Sequence, residues 1–140
     1  MRKTIIVFML ALLPLNASAA EINAEDMGHL AGAVMACGAQ RTLYQFEEIL
    51  SRYFSNTSPN AEVEKSLIKD YARAKAATFS LYKSRKDDCA RTIRNFSQMP
   101  ILRSELYSDG SLRLPDGKFL YPRGQKKLAK GAERTYAFDK

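Results

Sequence analysis

Hydrophobic residues recur every three or four positions through most of the first hundred residues and lose that rhythm afterwards. Met27, Leu30, Ala31, Val34 and Met35 form one apolar stripe, which predicts an amphipathic helix from about Ala24 to Cys37. Asn23 is placed to cap it, Glu25 and Asp26 suit the positive end of the helix dipole, and Gly38 is placed to end it. Leu43, Phe46, Ile49, Leu50 and Tyr53 line a second helix, about Thr42 to Phe54, and Ser55 to Asn60 reads as a loop.

The longest pattern follows Pro59, where Val63, Leu67, Tyr71, Ala74, Thr78, Tyr82, Cys89, Ile93 and Phe96 stay close to one helical face. A single helix from Asn60 to Met99 would be roughly 55–60 Å long at about 1.5 Å per residue. That is long for a chain of this size, so a break near Lys83 to Lys86 is expected, and Pro100 is expected to end the helical region. Acids one turn before bases (Glu62 and Lys65, Asp70 and Arg73, Asp87 and Arg91) support these helices by a few tenths of a kcal/mol each.

From Tyr107 the character changes. Asp109-Gly110, Pro115-Asp116-Gly117, Pro122, Gly124 and Gly131 interrupt any long helix. Leu112 to Leu114 and Lys118 to Tyr121 read as a small hairpin turning through Pro115-Asp116-Gly117. Gln125 to Lys140 has little hydrophobic pattern and is expected to lack fixed structure, apart from a helical turn around Lys126 to Ala129. The expected fold class is all-α: a three- or four-helix domain over residues 21–106, closed by one disulfide. A basic C-terminal tail, residues 107–140, holds the hairpin and is partly disordered in this reading.

The amino terminus changes how the cysteines read. Arg2 and Lys3, the mostly apolar Thr4 to Leu15, and the small residues up to Ala20 have the layout of a secretory signal peptide, with cleavage after Ala19 or Ala20. The apolar run falls short of the roughly 20 residues a spanning helix needs, so residues 1–20 are read as a removable leader and the product as periplasmic or secreted. Oxidising compartments let disulfides persist. Cys37 and Cys89 are the only two cysteines, and both fall on inward helix faces, so they are expected to join. The loop of about 53 residues so closed contributes about 4 kcal/mol by chain entropy. Arg85 and Lys86, one turn from Cys89, would favour a thiolate, but the spacing of Tyr82, Cys89 and Phe96 puts the sulfur on the apolar seam.

The net charge of +7 is unevenly spread. Residues 21–106 carry 12 basic and 11 acidic side chains, whereas residues 107–140 carry 8 and 4. The tail therefore holds the candidate partner-binding residues: Arg113, Lys118, Phe119, Tyr121, Arg123, Lys126, Lys127, Lys130 and Arg134, with Tyr107 and Tyr136 adding rings. Cations beside aromatics suit an anionic envelope surface or polymer, or an acidic protein. They also suit single-stranded nucleic acid, a partner that export makes less available.

Catalytic signals are scarce. His29 is the one histidine, near Glu25 on the first helix, and reads as a solvated residue. Glu47 and Glu48, like Asp87 and Asp88, point about 100° apart on a helix, a poor arrangement for a coupled acid and base. No glycine loop for phosphate, serine-nucleophile motif or metal-ligand spacing occurs. No catalytic residue, metal or cofactor is expected. Gly28 and Gly32, four apart, clear a strip where another helix can approach closely. If the chain met a eukaryotic export pathway, Asn56-Thr57-Ser58 and Asn95-Phe96-Ser97 would be glycosylation acceptors. The function expected is a non-enzymatic interaction module with a protein partner. An adaptor or effector on an anionic surface, and an inhibitor or immunity-type protein, are its alternatives.

Overall fold

The computed structural model of the protein describes residues 21–85 and 88–136. The leader assigned to residues 1–20 lies outside the described residues, as do Lys86, Asp87 and the end of the tail, 137–140. Four helices follow in order: α1 (Ala24–Ala36), α2 (Gln40–Thr57), α3 (Ala61–Tyr82) and α4 (Cys89–Ser97). Two of their starts are capped as short polar side chains allow, with Asn23 Oδ1 accepting from Asp26 N at 3.0 Å and Asn60 Oδ1 from Val63 N at 3.0 Å. Cys37, in place of a last helical residue, is the C-cap of α1. α2 runs one turn beyond Phe54 to Thr57, which shortens the expected loop to three residues. The break expected near Lys83 to Lys86 separates α3 from α4.

α1 makes its most extensive helix contact with α3, through its two central glycines. A Cβ on Gly28 would stand 2.3 Å from the Tyr71 carbonyl oxygen, and one on Gly32 would stand 2.4 Å from that of Lys75. Successive glycines face successive turns of α3, so the two helices run in the same direction with their backbones nearly touching. α2 returns antiparallel along α3, where Glu47 accepts a hydrogen bond from Tyr71 Oη at 2.7 Å and pairs with Lys75. Burial, and then Glu47, push the Tyr71 hydroxyl far above the ordinary tyrosine range. The long apolar seam is buried at Ala74, Thr78 and Phe96, while Val63 and Tyr82 are exposed. Asp70 and Arg73 form the expected pair at 3.8 Å, and Arg91 binds Asp88 at 2.6 Å, its expected partner Asp87 lying outside the described residues.

Pro100 ends the helical run but also opens a 3-10 turn, Pro100–Arg103, because a first-turn position does not need the N–H that proline lacks. The expected four-helix, mostly helical fold is present, and beyond the one hairpin expected in the tail there are four short strands: β1 (Glu105–Tyr107), β2 (Leu112–Arg113), β3 (Phe119–Leu120) and β4 (Arg134–Tyr136). They form one antiparallel sheet in the order β3-β2-β1-β4. The predicted hairpin is present as β2–β3, with Leu112 opposite Leu120 and Arg113 opposite Phe119. Asp109-Gly110 makes a second hairpin turn, β1–β2, with Gly110 at φ +89°, a conformation glycine adopts without penalty.

The boundary drawn at residue 106 falls inside β1, and the helices and sheet share one core. Val34, Phe46, Ile49 and Phe54 belong to the same buried cluster as Ile101, Leu102, Leu106 and Leu112. From α2, Asn56 Nδ2 donates to the Gly110 carbonyl at 2.9 Å and to that of Leu120 at 3.0 Å. That amide, half of one sequon read from the sequence, is committed to holding the sheet. Ser104, between the 3-10 turn and β1, is fully buried, and its hydroxyl has no hydrogen-bond partner among the described residues. Ser104→Ala should therefore raise stability by about 1 kcal/mol. The change would be read as a higher urea midpoint at unchanged slope, and a lower midpoint would refute it.

Candidate binding surface

The C-terminal cations divide into two sets. Arg113 and Arg134, on strands flanking β1, both donate to Glu105, at 3.3 and 3.0 Å, and Tyr107 Oη donates to the same carboxylate at 3.2 Å. Partial burial acts to raise the Glu105 carboxyl, but the two arginines and Tyr107 outweigh it and hold it below its ordinary value. Arg123 donates to Glu64 on α3 at 2.8 Å and to the Ser55 carbonyl at 3.3 Å. Three of the sequence's candidate partner-binding residues therefore join the sheet to itself and to the helices, a task suited to the arginine fork.

Among the described residues, Lys118, Lys126, Lys127 and Lys130 have no ion pair, and all four are exposed. Lys118 lies at the β2–β3 turn, the end of the sheet opposite the β1–β2 turn. The other three sit on the connection from β3 to β4, which holds no helical turn at Lys126 to Ala129 and no regular structure. It is nonetheless fixed. Asp109 Oδ2 accepts from Gln125 Nε2 at 2.6 Å and from Ala129 N at 2.9 Å, while Oδ1 accepts from Ser111 N at 2.9 Å. Gln125 Nε2 also donates to the Lys127 carbonyl at 2.7 Å. Where a lack of fixed structure was expected from Gln125 onward, residues 125–129 are held by Asp109 and residues 133–136 by Ser108 and pairing with β1, rather than by an apolar pattern of their own.

Partial burial acts to raise the Asp109 carboxyl, but the Ala129 and Ser111 N–H groups and Gln125 outweigh it, and the group titrates at about 2. A group lowered in the folded state contributes stability that is complete above its unfolded value of 3.8 and is lost as pH falls through about 2. Asp109→Ala should cost about 2 kcal/mol and flatten the acid limb of the stability profile. Hydrogen exchange at the Ala129 amide should accelerate in that variant. An unchanged acid limb would contradict the pinning role.

The outward side of the sheet carries an aromatic row, with Tyr107 and Phe119 centroids 5.7 Å apart and those of Phe119 and Tyr121 5.8 Å apart. The Arg113 guanidinium lies 5.8 Å from the centre of the Phe119 ring. Phe119 and Tyr121 are thereby half-buried among their neighbours rather than freely presented.

On the helical side, Cys37 and Cys89 form a disulfide with a Cα–Cα distance of 5.3 Å. It borders an open recess of about 220 Å³. A wider groove of about 520 Å³ continues along α1 between α3 and α4, bordered by His29, Thr78, Leu81, Tyr82 and Asn95. His29 Nδ1 and Thr78 Oγ1 share a hydrogen bond at 2.6 Å, and Nε2 lies 3.8 Å from Glu25. The histidine is exposed, as expected, and is also tied to α3 through Thr78. Among the described residues, no three His, Cys, Asp or Glu side chains gather as metal ligands would, and no helix is long and apolar enough to cross a membrane. Compared with protein-family models, curated proteins and solved structures, the chain matches none of them.

The sequence reading missed Glu105 and Asp109, the two carboxylates that organise this surface. A signal for the second was present: Glu105-Leu106-Tyr107 and Ser111-Leu112-Arg113 alternate in polarity around Asp109-Gly110, as hairpin strands do.

Proposed function

We propose that the protein is a small exported, non-enzymatic binding module that engages a phosphate-bearing anionic surface of the cell envelope through the lysine loop of its C-terminal sheet. The carrying observation is the attachment of residues 125–129 to Asp109, which leaves Lys126, Lys127 and Lys130 exposed and without ion pairs among the described residues. A loop already held in one shape loses little conformational entropy on binding. The leader-like residues 1–20 and the Cys37–Cys89 bond support export to an oxidising compartment.

Each lysine near an anionic surface contributes about 1 kcal/mol. The triple variant Lys126→Ala, Lys127→Ala, Lys130→Ala should therefore bind phosphatidylglycerol vesicles about a hundredfold more weakly than the parent. Binding by the parent should weaken as salt rises. Truncation is the wrong control, because removing residues 107–140 takes Leu112 out of the core. Equal binding by parent and variant, or binding indifferent to salt, would refute the reading.

A further inference from the structure

The Cys37–Cys89 bond joins two helix ends of opposite polarity. Cys37 is the C-cap of α1, beside the carbonyl end of that helix, and Cys89 is the first residue of α4, beside unsatisfied N–H groups. Both residues are partly exposed and border the open recess, with Arg85 on its wall. Asp88, the acidic neighbour, is paired with Arg91.

The hold on α4 is uneven. Its start has no side-chain cap, and Asp88, Ala90 and Arg91 are exposed. Among the described residues, no side-chain hydrogen bond or ion pair connects α4 to another element. Its one fully buried side chain is Phe96 near the far end, packed edge-to-face on Phe46 at 5.0 Å. The disulfide fastens the first turn, and Phe96 fastens the last.

From this arrangement we propose that Cys37–Cys89 is a thiol–disulfide exchange site, open to an external dithiol through the recess, whose reduction releases the first turn of α4 while Phe96 keeps the helix on the core. A thiolate of the dithiol attacks Cys37 Sγ. The Cys37–Cys89 bond breaks as the new sulfur–sulfur bond forms, and Cys89 leaves as the thiolate. The second thiol of the donor, once deprotonated, attacks the donor sulfur of the mixed disulfide and displaces Cys37 as a thiolate. Two electrons pass to the protein and the dithiol becomes a cyclic disulfide. The direction follows from leaving-group stability: helix N–H groups stabilise a thiolate at Cys89 and helix carbonyls oppose one at Cys37, while Arg85, on the wall of the recess that both sulfurs border, attracts the incoming thiolate.

The test uses the oxidised mature chain at neutral pH without denaturant. With dithiothreitol, two thiols should appear at a rate approaching that of the urea-unfolded protein, while far-UV circular dichroism retains most of the helical signal. With 2-mercaptoethanol followed by alkylation, mass spectrometry should find the adduct mainly on Cys37 and the alkyl group on Cys89. Arg85→Glu, a change at an exposed position, should slow exchange several-fold in the native protein and leave it unchanged in urea. Release that waits for global unfolding would overturn the proposal. So would loss of helicity in step with reduction, or adducts shared equally by the two sulfurs.

Discussion

Gly32→Ala should destabilise the protein by about 2–4 kcal/mol, although alanine is the better helix former by about 1 kcal/mol. The new Cβ would meet the Lys75 carbonyl oxygen at 2.4 Å, Thr78 Cβ at 2.8 Å and the Phe79 nitrogen at 2.9 Å. Two of those atoms are backbone, so no rotamer change relieves the clash and α1 must move off α3. Gly28→Ala meets the Tyr71 oxygen at 2.3 Å and Ala74 Cβ at 2.8 Å and should cost a similar amount. Both changes push the same two helices apart, so the double variant should lose less than the sum. Urea unfolding measures each loss, and an alanine variant as stable as the parent would show that the helices do not approach this closely. Gly38→Ala separates packing from backbone strain: at φ +81° it has nothing within 4 Å and should cost only about 1 kcal/mol.

Phe96→Ala should cost about 3–5 kcal/mol, the range for removing a fully buried ring. Phe96 lies against Phe46 in the shared core, and α4 is only nine residues long, too short to persist as a helix without its tertiary contact. The disulfide would still tether the first turn, so the loss should concentrate in the last turn of α4 and the 3-10 turn that follows. Amide exchange in residues 93–103 should rise more than in α3. A loss below about 1.5 kcal/mol would mean that α4 is held chiefly by the disulfide.

The helices were legible because each carries several turns of repeating apolar positions. Leu43, Phe46, Ile49 and Leu50 mark α2 by spacing alone, and all four are buried. The sheet was not legible as a whole, because its strands are two or three residues long. Alternation over so few residues is too brief to separate from chance. The pairing of β1 with β4 also joins segments almost thirty residues apart, which no local pattern encodes. The lysine connection looked structureless for the same reason: its order depends on hydrogen bonds to Asp109, across 16 and 20 residues, rather than on a buried face of its own.

By itself the sequence determined the helical periods, the break before Cys89 and the pairing of the only two cysteines, since each follows from spacing along the chain or from a count with one solution. Tertiary structure alone decided that α1 lies backbone to backbone on α3 and that the tail completes the core. It also decided that Arg113, Arg123 and Arg134 are bound within the molecule, whereas Lys118, Lys126, Lys127 and Lys130 have no ion pair among the described residues. Arginine and lysine carry the same charge in a sequence, and only the position of Glu64 and Glu105 after folding separates the cations that hold the sheet from those left facing solvent.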